Sequence, residues 1–315
     1  MPRYLIGRLA HALIVLVAVS VITFFIIHLA PGGPSILNNP NMTPEEVEAI
    51  RHNLGLDQPI HVQYFKWLGQ ILRGNLGRSF VDGQPVLSLI SSRMPATLLL
   101  AVSTLAVAIV GGILLGAICA IRAYSWLDSL VSLISFIGVS VPSFWQGIVL
   151  ILVFSVSLRL LPSAGMYTIG TGFSLGDRLS HLLMPTLVLG TFTTAAILRY
   201  TRTSLMEVLR EEYITTARSK GLSERLVIYR HALRNALLPV VTSIGLMLPP
   251  LIGGSAIVET IFAWPGIGRL AVDSALGRNY PVVMGITVII SVVVVIVNLL
   301  VDVLYAYIDP RIRLG

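Results

Sequence analysis

Six stretches of this chain contain no Asp, Glu, Lys or Arg, and each is at least 20 residues long: Leu9–Pro44, Met94–Ile121, Ser129–Leu158, Leu179–Leu198, Asn235–Val258 and Asn279–Val301. A helix that crosses a bilayer needs about 20 predominantly apolar residues. Within hydrocarbon every backbone N–H and C=O must find a partner inside the protein, so such runs have to be helices or closed barrels. The runs lack the alternating period of barrel strands, which leaves six spanning helices. Only 12% of the 315 residues are charged and 55% are hydrophobic, too few charges to cover a water-soluble fold of this length. The expected fold class is therefore an all-α membrane protein with six transmembrane helices.

The first run is too long for one helix, and Pro31-Gly32-Gly33-Pro34 should end it. Arg3 and Arg8 precede it, and its apolar part outlasts the h-region of a signal peptide, so it reads as an uncleaved anchor. A seventh charge-free stretch, Leu160–Gly176, carries Pro162 and four glycines and reads as a loop. Lys and Arg then orient the chain. With the N-terminus inside, 13 of the 22 fall on inside pieces, eight of them between the fourth and fifth spans. That bias puts both termini in the cytoplasm and accounts for the formal charge of +7 without nucleic acid.

The expected organisation is an N-terminal anchor helix (1–30), an external insertion (31–93), a five-helix core (94–303) containing an inside loop (199–236), and a cytoplasmic tail (304–315). In the insertion, Thr43-Pro44-Glu45-Glu46 has the form of a capping box with Pro at the first helical position, and Gly55 ends the helix it starts. A second amphipathic stretch follows Pro59. This segment either receives a partner or merely covers helix ends. In the inside loop, Ser204–Lys220 reads as a helix, Gly221 as its C-cap and Ser223 as the N-cap of another helix leading to Pro239. Ala217 and Gly221 place two small residues one turn apart, where another backbone could approach. The competing reading is an amphipathic hairpin lying on anionic lipid.

Chemistry is sparse. No GxxxxGK[ST] phosphate loop, HExxH or cysteine pair occurs, and the six histidines show no ligand spacing. No catalytic constellation, metal site or cofactor site is expected in this chain. Lone Cys119 reads as packing. The runs also lack the buried ionisable groups of an ion-coupled carrier, so the energy for opening them should come from another chain. An ion-coupled carrier and a non-transport scaffold are the readings from other classes. The first would transport without an ATPase, and the second would never transport.

The stretch Glu212-Tyr213-Ile214-Thr215-Thr216-Ala217-Arg218-Ser219-Lys220-Gly221-Leu222-Ser223, followed by His231-Ala232-Leu233-Arg234-Asn235-Ala236-Leu237-Leu238-Pro239, closely resembles the EAA loop of ABC-importer permeases of the dipeptide/oligopeptide/nickel family. Leu54-Gly55-Leu56-Asp57-Gln58-Pro59, Phe262-Ala263-Trp264-Pro265-Gly266-Ile267-Gly268 and Asp302-Val303-Leu304-Tyr305 resemble the same family, and the insertion resembles its "B" subunit. Thr215-Thr216-Ala217 stands where the general pattern has Glu-Ala-Ala. The resemblance implies a type I importer permease fold and a share in the translocation pathway for peptides. It also implies a paralogous "C"-type permease, two cytoplasmic ABC ATPases that hold the ATP and Mg, an external solute-binding protein and membrane lipid as partners. Nickel chelates, glutathione and oligosaccharides are the alternative cargoes. It further implies ATPase coupling through Thr215, Thr216, Ala217, Arg218, Lys220, Gly221, Leu222, Ser223 and Glu224. Pro249, Pro250, Gly253 and Gly254 would loosen the fifth helix as a gate, with Glu259 at its outer end, or else form a packing kink.

Overall fold

The computed structural model describes residues 2–29, 33–38, 42–253 and 255–308. Its helices in chain order are α1 (Pro2–Leu29), α2 (Pro44–Asn53), α3 (Ile60–Leu72), α4 (Val86–Ile121), α5 (Trp126–Ser140), α6 (Ser143–Leu150), α7 (Leu175–Val208), α8 (Glu212–Ser219), α9 (Glu224–Leu226), α10 (Leu233–Ile252), α11 (Ala256–Ile261), α12 (Ile267–Leu276) and α13 (Tyr280–Ile308). Among the described residues the only β feature is a bridge between Arg78 and Pro85. Five helical segments among the described residues are long and apolar enough to cross a membrane: Gly7–Leu29, Val86–Ile121, Leu175–Val208, Glu224–Leu251 and Tyr280–Asp302.

The expected third span departs from a single helix. Trp126–Ser140 and Ser143–Ser157 form a pair bent by 104°. The break lies at Val141-Pro142, because a residue before proline is pushed out of the helical region, and Val141 is extended with ψ 128°. Backbone freed at such a break needs a partner. The Gln146 side-chain amide donates to Gly138 O at 2.7 Å and to Val141 O at 2.8 Å. Residues Ile151–Ser157 continue α6 as a π-helix. The fourth and second spans run longer than their charge-free cores. At about 1.5 Å per residue the 36 residues of α4 reach about 54 Å, well beyond a hydrocarbon core of about 30 Å.

The chain divides into two compact units. One comprises residues 1–97 and 265–296. The expected capping box is present: Thr43 N–H donates to Glu46 Oε2 at 2.8 Å and Glu46 N–H to Thr43 Oγ1 at 3.3 Å. Phe24 of α1, Tyr64 of α3, and Tyr280 and Met284 of α13 share one apolar cluster. Leu76, Val86, Ile90, Ile267, Val282 and Ile286 form another. Asn279, buried before α13, accepts from Phe80 N–H at 2.9 Å and donates to Ser79 Oγ at 2.8 Å. These bonds tie residues 79–80 to a helix start some 200 positions away.

The other unit comprises residues 98–264 and 297–313 and is built around α7. Gly112 and Gly116 of α4 let that helix lie directly on α7. A Cβ at Gly116 would sit 2.7 Å from Leu198 O, and one at Gly112 would sit 2.6 Å from Ile197. Asp128, in the first turn of α5, meets Arg202 of α7 in a two-pronged pair, Nε to Oδ1 and Nη2 to Oδ2, both at 2.8 Å. The Asp128 side chain is only 5% exposed, so this carboxylate depends on its partners, Tyr124 N–H at 2.9 Å included.

Two outcomes follow from these contacts. Arg202→Leu should lower stability by about 3–5 kcal/mol, because it strands a buried carboxylate. The double variant Asp128→Leu/Arg202→Leu should recover much of that loss, and thermal unfolding of the purified protein in detergent reads both. Gln146→Leu should cost about 1–3 kcal/mol in the same assay, since two carbonyls at the bend lose their donor.

Candidate functional site: the elbow between α7 and α10

The elbow begins where α7 stops. The expected continuous helix over 204–220 is broken at 209–211, and α8 starts at Glu212. Ile214 and Ala217, one turn apart on α8, are buried. They pack with Leu205 of α7, Val227, Ala232, Ala236 of α10 and Ala120 at the end of α4. Asn235 Nδ2 donates to Tyr213 Oη at 2.9 Å and ties the start of α10 to α8. The short elbow helix therefore rests on the feet of three long helices.

Its turn is closed by backbone geometry. Gly221 N–H donates to Arg218 O at 2.9 Å and Leu222 N–H to Ala217 O at 3.4 Å, the two bonds of a Schellman cap. Gly221 sits at φ +77°, where a side chain costs about 1–2 kcal/mol, and a Cβ there would meet nothing within 4 Å. The C-cap expected at residue 221 thus lies one position later than Lys220, which caps α8, with Gly221 as the left-handed residue after it. Ser223 stands at the N-cap of α9 but makes no side-chain capping bond. Arg218 closes the corner instead, donating to Glu224 Oε1 at 2.6 Å and to Oε2 at 3.1 Å. That carboxylate holds the guanidinium pKa above its ordinary value. With both side chains about half exposed, such a pair contributes about 0.2–1 kcal/mol.

Thr215, Thr216, Arg218, Lys220, Gly221, Leu222, Ser223 and Glu224 are all exposed, forming one contiguous outward surface. Ala217 corrects the expectation of a small-residue pair open to a partner. It is 8% exposed and faces the chain's own core, because it lies one turn from Ile214 on the face of α8 that covers α7. Arg218 and Glu224, both expected in ATPase coupling, are bound to each other. After α9 the backbone continues as a π-helix through Val227–Ala232 straight into α10, with no loop between elbow and span.

The candidate gate residues are separately placed. Pro249 and Pro250 lie in the last turn of α10, which stays helical through them and ends at Ile252, where Gly253 forms the C-cap. Gly253 thus ends the helix rather than loosening it midway. Gly254 lies outside the described residues. Glu259, on the separate short α11, is fully buried, so its carboxylate faces protein and not the water expected at a span end. Sequence reading missed two structural anchors of this unit, the Asp128–Arg202 pair and Gln146. Arg202 counted only toward the positive loop, and Gln146 sat unremarked within a charge-free run. The signal for the second was Pro142, four residues earlier.

Comparison with known proteins completes the picture. Residues 112–314 match a family model described as "Binding-protein-dependent transport system inner membrane component", and residues 1–101 match the N-terminal model of the same transport systems. The chain is 45% identical over 315 residues to the oligopeptide transport system permease protein AppB of Bacillus subtilis, covering 99% of this chain and 100% of that protein. It is 41% identical over 314 residues to the glutathione transport system permease protein GsiC of Escherichia coli O6:H1, covering 99% of each. Among solved structures, a chain of the inward-facing MetNI methionine ABC transporter superposes with a TM-score of 0.58 at 19% identity, covering 71% of this chain and 97% of that one. At that identity the likeness carries the fold alone, that of a type I importer permease. A membrane-spanning transport subunit rather than an enzyme, the chain belongs to the family of binding-protein-dependent transport system inner membrane components.

Proposed function

We infer that this permease forms one half of the translocation pathway for di- or oligopeptides. An external solute-binding protein delivers the cargo, a paralogous "C"-type permease supplies the other half, and two cytoplasmic ABC ATPases that hold ATP and Mg drive it. The peptide assignment is supported by the names of full-length relatives, AppB among them, and by a putative peptide permease of Brucella suis that is 45% identical. Glutathione, the cargo named for GsiC, is itself a small peptide. The placement in a bacterial or archaeal cytoplasmic membrane with both termini inside rests on the bias of Lys and Arg toward the pieces around residues 199–236.

The observation that carries the coupling role is the two-faced elbow. One face is buried on α7 and α10, and the other presents residues 215–224 outward. A push on the exposed face is delivered to both helices together, because α8 packs on α7 and α10 through Ile214 and Ala217 and the backbone runs from α9 into α10 without a loop. Rigid-body rocking of packed helices is a known form of switching, and it needs such a lever. Gly253 and the prolines before it give α10 a defined end on which a gate can act.

Gly221→Trp should leave the complex assembled and the ATPases active while uptake falls about tenfold or more, a loss of about 1.4 kcal/mol in coupling. Gly221→Asn, which tolerates the left-handed backbone, should keep most uptake and so separates bulk from strain. Wild-type uptake by the Trp variant rejects the lever. For the cargo, the test is a binding screen on the solute-binding protein encoded beside this permease. Tight peptide binding is expected, and a sugar or nickel-chelate ligand without peptide affinity rejects the assignment.

A further inference from the structure

The unit formed by residues 1–97 and 265–296 holds a cavity of about 570 Å³ that the transport reading does not use. That size lies within the range of small-ligand sites, about 300–1,000 Å³. Its floor is apolar and aromatic. Phe24 of α1 and Met284 of α13 line it, with Trp67 of α3 and Tyr280 beside them. Phe24 lies five residues before the end of α1 and Met284 four residues after the start of α13, so the floor sits about 6–8 Å inside both helix ends. Both helices are spans, and this depth matches the headgroup–acyl boundary. Two cations, Lys66 and Arg78, also line the cavity but belong to α3 and the segment after it, outside either span. None of the lining residues is acidic. Asp57, the carboxylate whose field reaches Lys66, is itself bonded to His52 at 2.7 Å. Helix α3 keeps Phe65 and Leu72 exposed at 66% and 79%, as an amphipathic helix lying in the membrane interface would.

We propose that this cavity binds one anionic membrane phospholipid, an acyl segment entering the Phe24–Trp67–Met284 floor and the headgroup meeting Lys66 and Arg78. Apolar and cationic side chains line the same cavity, as the two parts of such a lipid require. A neutral lipid would leave the two cations unused, and a soluble peptide would bring polar backbone amides and charged termini into an apolar floor. Arg78 also donates to Gly83 O at 2.9 Å, which fixes its guanidinium near the mouth.

The test uses the assembled importer extracted from vesicles of equal phosphatidylglycerol and phosphatidylcholine, with retained lipid read by native mass spectrometry. The wild type should retain one phosphatidylglycerol in preference to phosphatidylcholine. Lys66→Gln should weaken that retention about fivefold, the value of one charge at an anionic surface. Leu56→Trp, which projects bulk into the cavity, should abolish it. Lys66 is exposed, so its variant keeps the test decisive even if the Trp variant fails to fold. Equal retention of the two lipids, no change in Lys66→Gln, or displacement of the lipid by a transported peptide would each overturn the proposal.

Discussion

Hydrocarbon offers no hydrogen bonds, and that constraint shapes the places where an apolar helix of this chain starts or breaks. At the Val141-Pro142 bend, one glutamine side chain bonds two carbonyls that the broken helix would leave bare. Before α12, which has no N-capping side chain of its own at Gly266, the Thr97 hydroxyl accepts the Ile267 N–H at 2.8 Å. Before α13, Asn279 bonds the backbone of Phe80. Each of these polar side chains satisfies an irregular stretch of backbone, and each lies next to an apolar helix that could not do so itself.

The elbow shows the other use of close packing. Its buried residues are small or β-branched (Ala217, Ala232, Ala236, Val227, Ile214), so α8 lies close against the long helices. Small side chains bring backbones together and leave little freedom between them. The exposed face is held by the Schellman cap and the Arg218–Glu224 pair, and neither needs a partner to form. An elbow that is ordered before it docks loses less entropy on docking. In the proposed reading, this is why the motor's movement would reach α10 without being absorbed.

Much of this was legible in the sequence because hydropathy and capping are local. Five of the six charge-free runs each hold one long helix, and the Thr43–Glu46 box and the turn at Gly221 appeared where residue types demanded them. The misses were of two kinds. Helix continuity failed at 209–211 and at 141–142, the latter because Pro142 outweighed an apolar pattern that was otherwise unbroken. Pairing failed because it is non-local. Nothing in the spacing of Asp128 and Arg202, or of Asn279 and Ser79, announces that they meet. The inward turn of Ala217 was hidden for the same reason, since the AxxxG spacing is silent about which side of the helix is already occupied.

The Asp128–Arg202 pair also has a history within each molecule's synthesis. Seventy-four positions separate the two residues. At about 5–20 residues per second, the carboxylate is synthesised about 4–15 s before its guanidinium exists. Throughout that interval the acid at the first turn of α5 is without its arginine, and a carboxylate in that state favours the aqueous boundary over hydrocarbon. Only when α7 is threaded does the arginine arrive to fasten the two. The bond that stabilises the finished subunit therefore closes only after the bent pair of α5 and α6 has been synthesised.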